Sequence, residues 1–288
     1  ARHGPAMMAS GSEGGWERIE PWFEKVAASY NGESCFARVG QSASGHFVKM
    51  VHNGIEYAIM QLIAEVYQLL RIGTGRSPKE VAEIFDDWST GHLNSYLLAI
   101  SSHILSLENT KQEPLVDLID NKVGAKGTGL WTAQNALELG IAVPSLVAAV
   151  QARHLTNVCD TTAAQEMTYA AKATNKVDID LEELKDAFTL ASLLAYRQGL
   201  ALIKGASRTH QWKVDLSKTL QTWRAGCIIR ADYLDSVAQG VEYIDTLENE
   251  SNALRKVTGQ AVMTGLAFPV LASTQTYLAT LTTPSNGH

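Results

Sequence analysis

A mainly all-α fold is what this sequence predicts: a large helical domain with two related helical halves, preceded by a short α/β segment. Three observations carry that reading. From Gly45 onward, apolar residues recur at helical spacing in one segment after another, and the alternating runs that mark strands nearly vanish. Before Gly45, one helical pattern leads into a short strand-like run, Ser34-Cys35-Phe36-Ala37-Arg38-Val39, closed by Gly40. A Trp-x-x-Gly element that ends one helix and opens another occurs twice, as Trp88 to Gly91 before Tyr96-Leu97 and as Trp223 to Gly226 before Tyr233-Leu234.

Taken in order, Ala6 to Ser12 is a stretch of small residues. Ser12 can cap a helix running to about Ala28, with Trp16, Ile19, Phe23 and Val26 at helical spacing. Residues 1–43 therefore look like the last helix and strand of an α/β domain, and 44–288 form the helical domain. Its helical segments are 46–71, 78–88, 92–106, 113–121, 131–139, 145–158, 180–204, 215–237 and 245–264. Turns such as Gly73-Thr74-Gly75 separate them, and Pro114, Pro144 and Pro269 mark helix boundaries.

Composition narrows the function. With 24 Lys and Arg against 30 Asp and Glu, the net charge is −6, which speaks against a nucleic-acid partner. Cys35, Cys159 and Cys227 are odd in number, far apart and without a CxxC, so they read as reduced thiols of a cytoplasmic protein. The histidines His3, His92, His103, His154, His210 and His288 have no metal-ligand spacing, and no metal is expected. No apolar run approaches the roughly 18 residues of a membrane helix. The opening Ala1-Arg2-His3-Gly4-Pro5 has no signal-peptide character and reads as a cut end.

The informative stretch is Gly45 to Tyr57. On a helix, Lys49, His52, Asn53, Glu56 and Tyr57 fall within an arc of about 140°, opposite Val51, Ile55 and Ile59. A Lys–Glu pair alone would read as a solvated face. A stripe mixing Lys, His, Asn, Glu and Tyr brings together different proton donors and acceptors instead. Gly54, which costs about 1 kcal/mol in a helix interior, implies close packing or ligand approach. Gly124 to Thr132 is a Gly-rich turn before a helix, and with Lys126 and Thr128 it suits a phosphate at a helix N-terminus, although a plain turn has the same pattern. Arg153 could add a bidentate contact, or be an ordinary surface arginine. His46 reads as a cap or packing residue, Asp86-Asp87 as a solvated helix end, and Trp131 and Trp223 as core residues.

These segments resemble the 6-phosphogluconate dehydrogenase family. Gly45 to Tyr57 reproduces its GHFVKMVHNGIEY segment. Lys126-Gly127-Thr128-Gly129-x-Trp131-Thr132 matches its KGTGxWT loop. Trp223-Arg224-x-Gly226-Cys227-Ile228-Ile229-Arg230 matches WRGGCIIR, and Ala1-Arg2-x-Gly4-Pro5 matches the end of GGExGARxGP. The resemblance implies oxidation of 6-phosphogluconate at C3 by NADP, followed by loss of CO2, in the pentose phosphate pathway. It implies Lys49 as the base and later acid, Glu56 as the proton donor to the enediol, and His52 and Asn53 as holders of substrate hydroxyls and carboxylate. Tyr57, Lys126, Thr128 and Arg153 would bind the phosphate. A homodimer is implied as well.

The chain also departs from the pattern. The family's Rossmann-type nucleotide fold, with its GxGxxG, and the Ser-Gly-Gly that binds substrate would precede Ala1; residues 1–43 are its remnant. The QRDYFGxH-like tail that completes a partner subunit's site is not found after Tyr277-Leu278. Leu130 replaces a usual Lys, Ala225 a usual Gly, and Ala9-Ser10 a usual Pro-Gly. The chain as given is expected not to reduce NADP. Two other readings stay open: a noncatalytic paralogue or dimerisation module that keeps the fold, and a related β-hydroxyacid dehydrogenase with another substrate. Lys126, Thr128 and Arg153 favour a phosphorylated substrate over the latter.

Overall fold

The computed structural model describes residues 3–119, 123–158, 176–239 and 248–282. Ala1, Arg2, Cys159 and His288, all named above, lie outside them.

The chain begins with a βαβ unit. Strand β1 (Met7–Ser10) and β4 (Phe36–Gly40) pair in parallel, Met7 opposite Phe36 and Met8 opposite Ala37, with helix α1 (Glu13–Phe23) as the crossover. The small-residue stretch Ala6 to Ser12 thus holds a strand, Met7–Ser10. Helix α1 is capped by Ser12, as expected, but ends at Phe23 rather than Ala28. A hairpin, β2 (Ser29–Tyr30) and β3 (Glu33–Ser34), follows through Asn31-Gly32, whose φ values of 51° and 84° are those of a type I′ turn.

The rest is helical: α2 (Ser44–Gln68), α3 (Pro78–Ser89), α4 (Tyr96–Leu105), α5 (Thr128–Glu138), α6 (Pro144–Val158), α7 (Leu181–Thr209), α8 (Leu216–Trp223), α9 (Leu234–Gln239), α10 (Glu248–Met263) and α11 (Pro269–Thr282). A π-helical turn, Leu69–Gly73, extends α2. The expected helix over 113–121 is only a 3-10 turn at Leu115–Leu118. The expected helix over 215–237 breaks after Trp223, because Gly226 adopts a φ of 69° and lies against the backbone of Pro5 and Ala6, where any Cβ would clash. Helix α11 was not legible as an element of its own; Pro269 marks its start.

The architecture centres on α2, which packs against α5, α6 and α7 and receives β1 and β4 at its N-terminal end. Ile55, Ile59 and Leu62 are fully buried along its apolar side. Each contributes roughly 1.5–3 kcal/mol of burial. The repeated Trp elements occupy equivalent places. Trp88 closes α3 and Trp223 closes α8, both buried, and the loops that follow them meet. Ser95 and Ala231 bridge antiparallel, and Asn94 Nδ2 donates to Asp232 at 2.9 Å.

Candidate functional site

The polar stripe of α2 survives folding as a connected group. Lys49 Nζ donates to Asn53 Oδ1 at 2.8 Å and lies 3.1 Å from His52 Nδ1. Asn53 Nδ2 in turn donates to Thr128 Oγ1 at 3.3 Å. Thr128 is the first residue of α5, whose cap is Gly127 in the left-handed region with no side-chain cap bond, so the first N–H groups of the helix are left open to an anion. The helices meet closely here. A Cβ on Gly54 would fall 2.6 Å from Thr132 Cγ2, and Thr132 Oγ1 donates back to Met50 O at 3.0 Å.

A second arm lies one turn along α2. The Arg153 guanidinium, from α6, sits 3.5 Å above the Tyr57 ring and donates to Gly124 O at 3.1 Å. Arg153 therefore spans the gap between α6 and the glycine loop. Glu56 lies near both Lys49 and Arg153, whose positive charges act on its carboxyl. Lys126, by contrast, stands exposed on the loop and makes no hydrogen bond to a described residue. His46 is exposed and the cap position of α2 is Ala43, so His46 neither caps nor packs. Trp131 is 52% exposed and lies over Gly127, so it is a rim residue and not core as expected; Trp223 is core. Asp86 and Asp87 are exposed, as expected of a solvated helix end.

The electrostatics suit proton transfer. Lys49 can be reached from solvent, yet desolvation around Nζ holds its pKa below the usual amine range, with Glu56 and Cys227 pulling it back up. Burial pushes Glu56 up, while Lys49 and Arg153 pull it down. His52 is wholly buried and is driven down to about 3, by burial first and then by the charge of Lys49, so it stays neutral at physiological pH. The α2 stripe therefore offers a lysine closer to neutrality than usual, a carboxyl that holds its proton longer than usual, and a neutral imidazole between α2 and the core.

Sequence reasoning assigned no role to Cys227, which lies near enough to Lys49 to act on its charge. Its only signal was membership of the Trp223 to Arg230 motif. Among the described residues no group of three or more His, Cys, Asp or Glu side chains could hold a metal ion, and no helix is long and apolar enough to cross a membrane.

Known proteins resemble this chain over most of its length. The family model described as 6-phosphogluconate dehydrogenase, C-terminal domain, matches residues 45–287. A decarboxylating 6-phosphogluconate dehydrogenase of Cunninghamella elegans is 38% identical over 291 residues, covering 95% of this chain and 60% of the relative. A second from Saccharomyces cerevisiae is 40% identical over 254 residues, 86% of this chain and 52% of that one. The chain thus spans roughly half to three-fifths of the length of these relatives. A solved Plasmodium falciparum 6-phosphogluconate dehydrogenase, described in its apo form, with its cofactor NADP+ and with its substrate 6-phosphogluconate, superposes with a TM-score of 0.92 at 31% identity, covering 99% of this chain and 65% of that one. With the family model matched over residues 45–287 and the fold shared with a solved relative at 31% identity, the chain belongs to the 6-phosphogluconate dehydrogenase family.

Proposed function

We propose that the chain supplies the substrate-binding and acid/base part of the NADP-linked oxidative decarboxylation of 6-phosphogluconate to ribulose 5-phosphate. The observation that carries this reading is the single network joining Lys49, His52 and Asn53 to Thr128 at the open N-terminus of α5. A phosphate bound there, between Arg153, Tyr57, Lys126 and Thr128, leaves the sugar chain along the α2 stripe. Lys49 then takes the C3 hydroxyl proton and later returns a proton to the same oxygen. Glu56, whose carboxyl keeps its proton further up the pH scale than usual, protonates the enediol carbon. Of the two residues expected to hold hydroxyls and carboxylate, half-buried Asn53 can touch them, whereas wholly buried His52 acts on them only through Lys49 and Asn53.

NADP would supply hydride acceptance, but the described residues do not form a cradle for it. The βα turn between β1 and α1 carries Glu13 in its first helical turn, which repels a pyrophosphate. No hydride step is therefore assigned to residues of this chain. Residues 1–43 are read as the end of the dinucleotide-binding domain and 44–288 as the substrate-binding and dimerisation domain. A cytoplasmic homodimer, with no nucleic-acid or membrane partner, completes the proposal. Sedimentation that shows only monomer at micromolar concentration would count against the dimer.

The test of the reaction is Lys49→Met against Lys126→Met in the dinucleotide-bearing enzyme. Lys49→Met keeps the apolar stem, so the melt should hardly move while kcat falls about 10²–10⁴-fold or more. Lys126→Met should mainly raise KM, because a phosphate contact is made equally in ground and transition states. Near-native kcat in Lys49→Met would overturn the assignment.

A further inference from the structure

His52 carries an atom that the proposed reaction leaves unexplained. The imidazole is wholly buried, and its Nδ1 faces Lys49 Nζ and Asn53 Oδ1 at 3.1 Å each. Its Nε2 is buried with no hydrogen-bond partner among the described residues. Two neighbours compete for Nδ1, since Asn53 Oδ1 can only accept and a Lys49 ammonium can only donate; while Lys49 is charged the ammonium decides, Nδ1 accepts from it, and the one proton of the neutral ring sits on Nε2. The ring that His52 meets is Trp223, with centroids 5.7 Å apart and planes at 75°. Trp223 is completely buried, and its indole N–H donates to Met8 Sδ at 3.2 Å. Met8 belongs to β1, so that bond ties the indole to the α/β segment.

We propose that Trp223 is a positioning residue for the Lys49 centre: its indole face accepts the Nε2–H of His52, and Met8 on β1 holds the indole in place. An edge-to-face N–H contact to a π-system selects the tautomer that keeps the Nδ1 lone pair turned toward Lys49. Through Met8 and Trp223, the placement of β1 thereby reaches the proton-transfer group on α2. The charged and titratable groups facing the centre are Glu56 on the same helix, Cys227 from the loop after α8, and Lys49 itself toward His52. The contact stands apart from the proposed reaction; only its effect on turnover rests on that reading.

Two-bond 1H–15N spectra of the histidine rings report which nitrogen carries the proton. In the unaltered chain, His52 is expected to be protonated at Nε2, with that proton shifted upfield by the indole. Trp223→Leu removes the face and should lower the preference for this tautomer about two- to fivefold. Trp223→Phe keeps a smaller face, falls between the two, and serves if the leucine variant does not fold. Met8→Leu removes only the sulfur acceptor and should reduce the upfield shift in a folded chain. In turnover, Trp223→Phe should move the acid limb of the kcat/KM profile to lower pH by up to roughly 0.3–0.7 unit, because a ring protonated at Nδ1 cannot accept from the ammonium and so favours the free amine. An unaltered chain protonated at Nδ1, or a tautomer unmoved in the folded Trp223 variants, overturns the proposal. The expected spectra without any binding of 6-phosphogluconate would sink the reaction and leave the contact standing.

Discussion

An alanine at Gly54 probes how α2 and α5 build the site together. Its Cβ would lie 2.6 Å from Thr132 Cγ2 and 3.0 Å from both Thr132 Cβ and Oγ1. Thr132 cannot easily swing away, since it is buried and its hydroxyl is held by Met50 O at 3.0 Å and Thr128 O at 2.9 Å. Restoring an ordinary contact distance requires the helices to part by about 0.8 Å or more. Overpacking of this kind costs about 1–3 kcal/mol, while the helix preference of alanine returns up to about 1 kcal/mol. The expected net loss of stability is therefore about 0–3 kcal/mol. The effect on binding is larger in kind, because Asn53 Nδ2 already reaches Thr128 Oγ1 over 3.3 Å and loses it when α5 retreats. An affinity loss for 6-phosphogluconate of about tenfold follows, from one hydrogen bond and a displaced anion site. Urea denaturation and calorimetric titration measure the two numbers. Gly259→Ala is the control: Gly259 is exposed on α10 with no atom within 4 Å of a built Cβ, so the variant should gain up to about 1 kcal/mol. If Gly54→Ala is stabilised like the control and binds like the unaltered chain, the close contact is not what places Thr128.

Other residues give equally direct expectations. Arg153→Lys keeps the charge but loses the planar group 3.5 Å above Tyr57 and the reach to Gly124; titration with 6-phosphogluconate should show about tenfold weaker binding, and unchanged affinity would remove Arg153 from the phosphate site. Glu65 is buried on α2 and accepts the N–H groups of Val270 and Leu271 at the start of α11, at 2.9 and 2.8 Å. Burial holds its carboxyl at about 7 against an ordinary 4.5, the two N–H bonds and Gln61 offsetting only part of it. A carboxyl raised in the folded state contributes stability that is complete below pH 4.5 and lost as pH rises through about 7. Melts between those values should therefore fall with pH, and Glu65→Gln should flatten the trend; an equal slope in both proteins would refute the assignment.

Much of the site was legible because it lies on one helix. Lys49, His52, Asn53, Glu56 and Tyr57 share a face by the 3.6-residue period alone, and the apolar residues opposite them say which side is buried. The capping chemistry of Ser12 and the boundary prolines Pro144 and Pro269 are equally local. Elements whose meaning depends on distant chain were read less well. The small-residue stretch over Met7–Ser10 becomes a strand because β4 pairs with it, and the run over 215–237 breaks because Gly226 must pass against Pro5 and Ala6.

What the sequence by itself determined is therefore the helical architecture, the polar stripe of α2 and the anion-suited glycine loop, since each follows from residue types at short spacing. Only the tertiary structure decided that the loop comes to rest on that stripe through Gly54 and Thr132, that Arg153 stacks on Tyr57, and that Trp131 is rim while Trp223 is core. It also decided the state of the titrating groups. Burial and neighbouring charge set the neutral imidazole of His52 and the raised carboxyl of Glu65, and both depend on which distant residues displace water from around them.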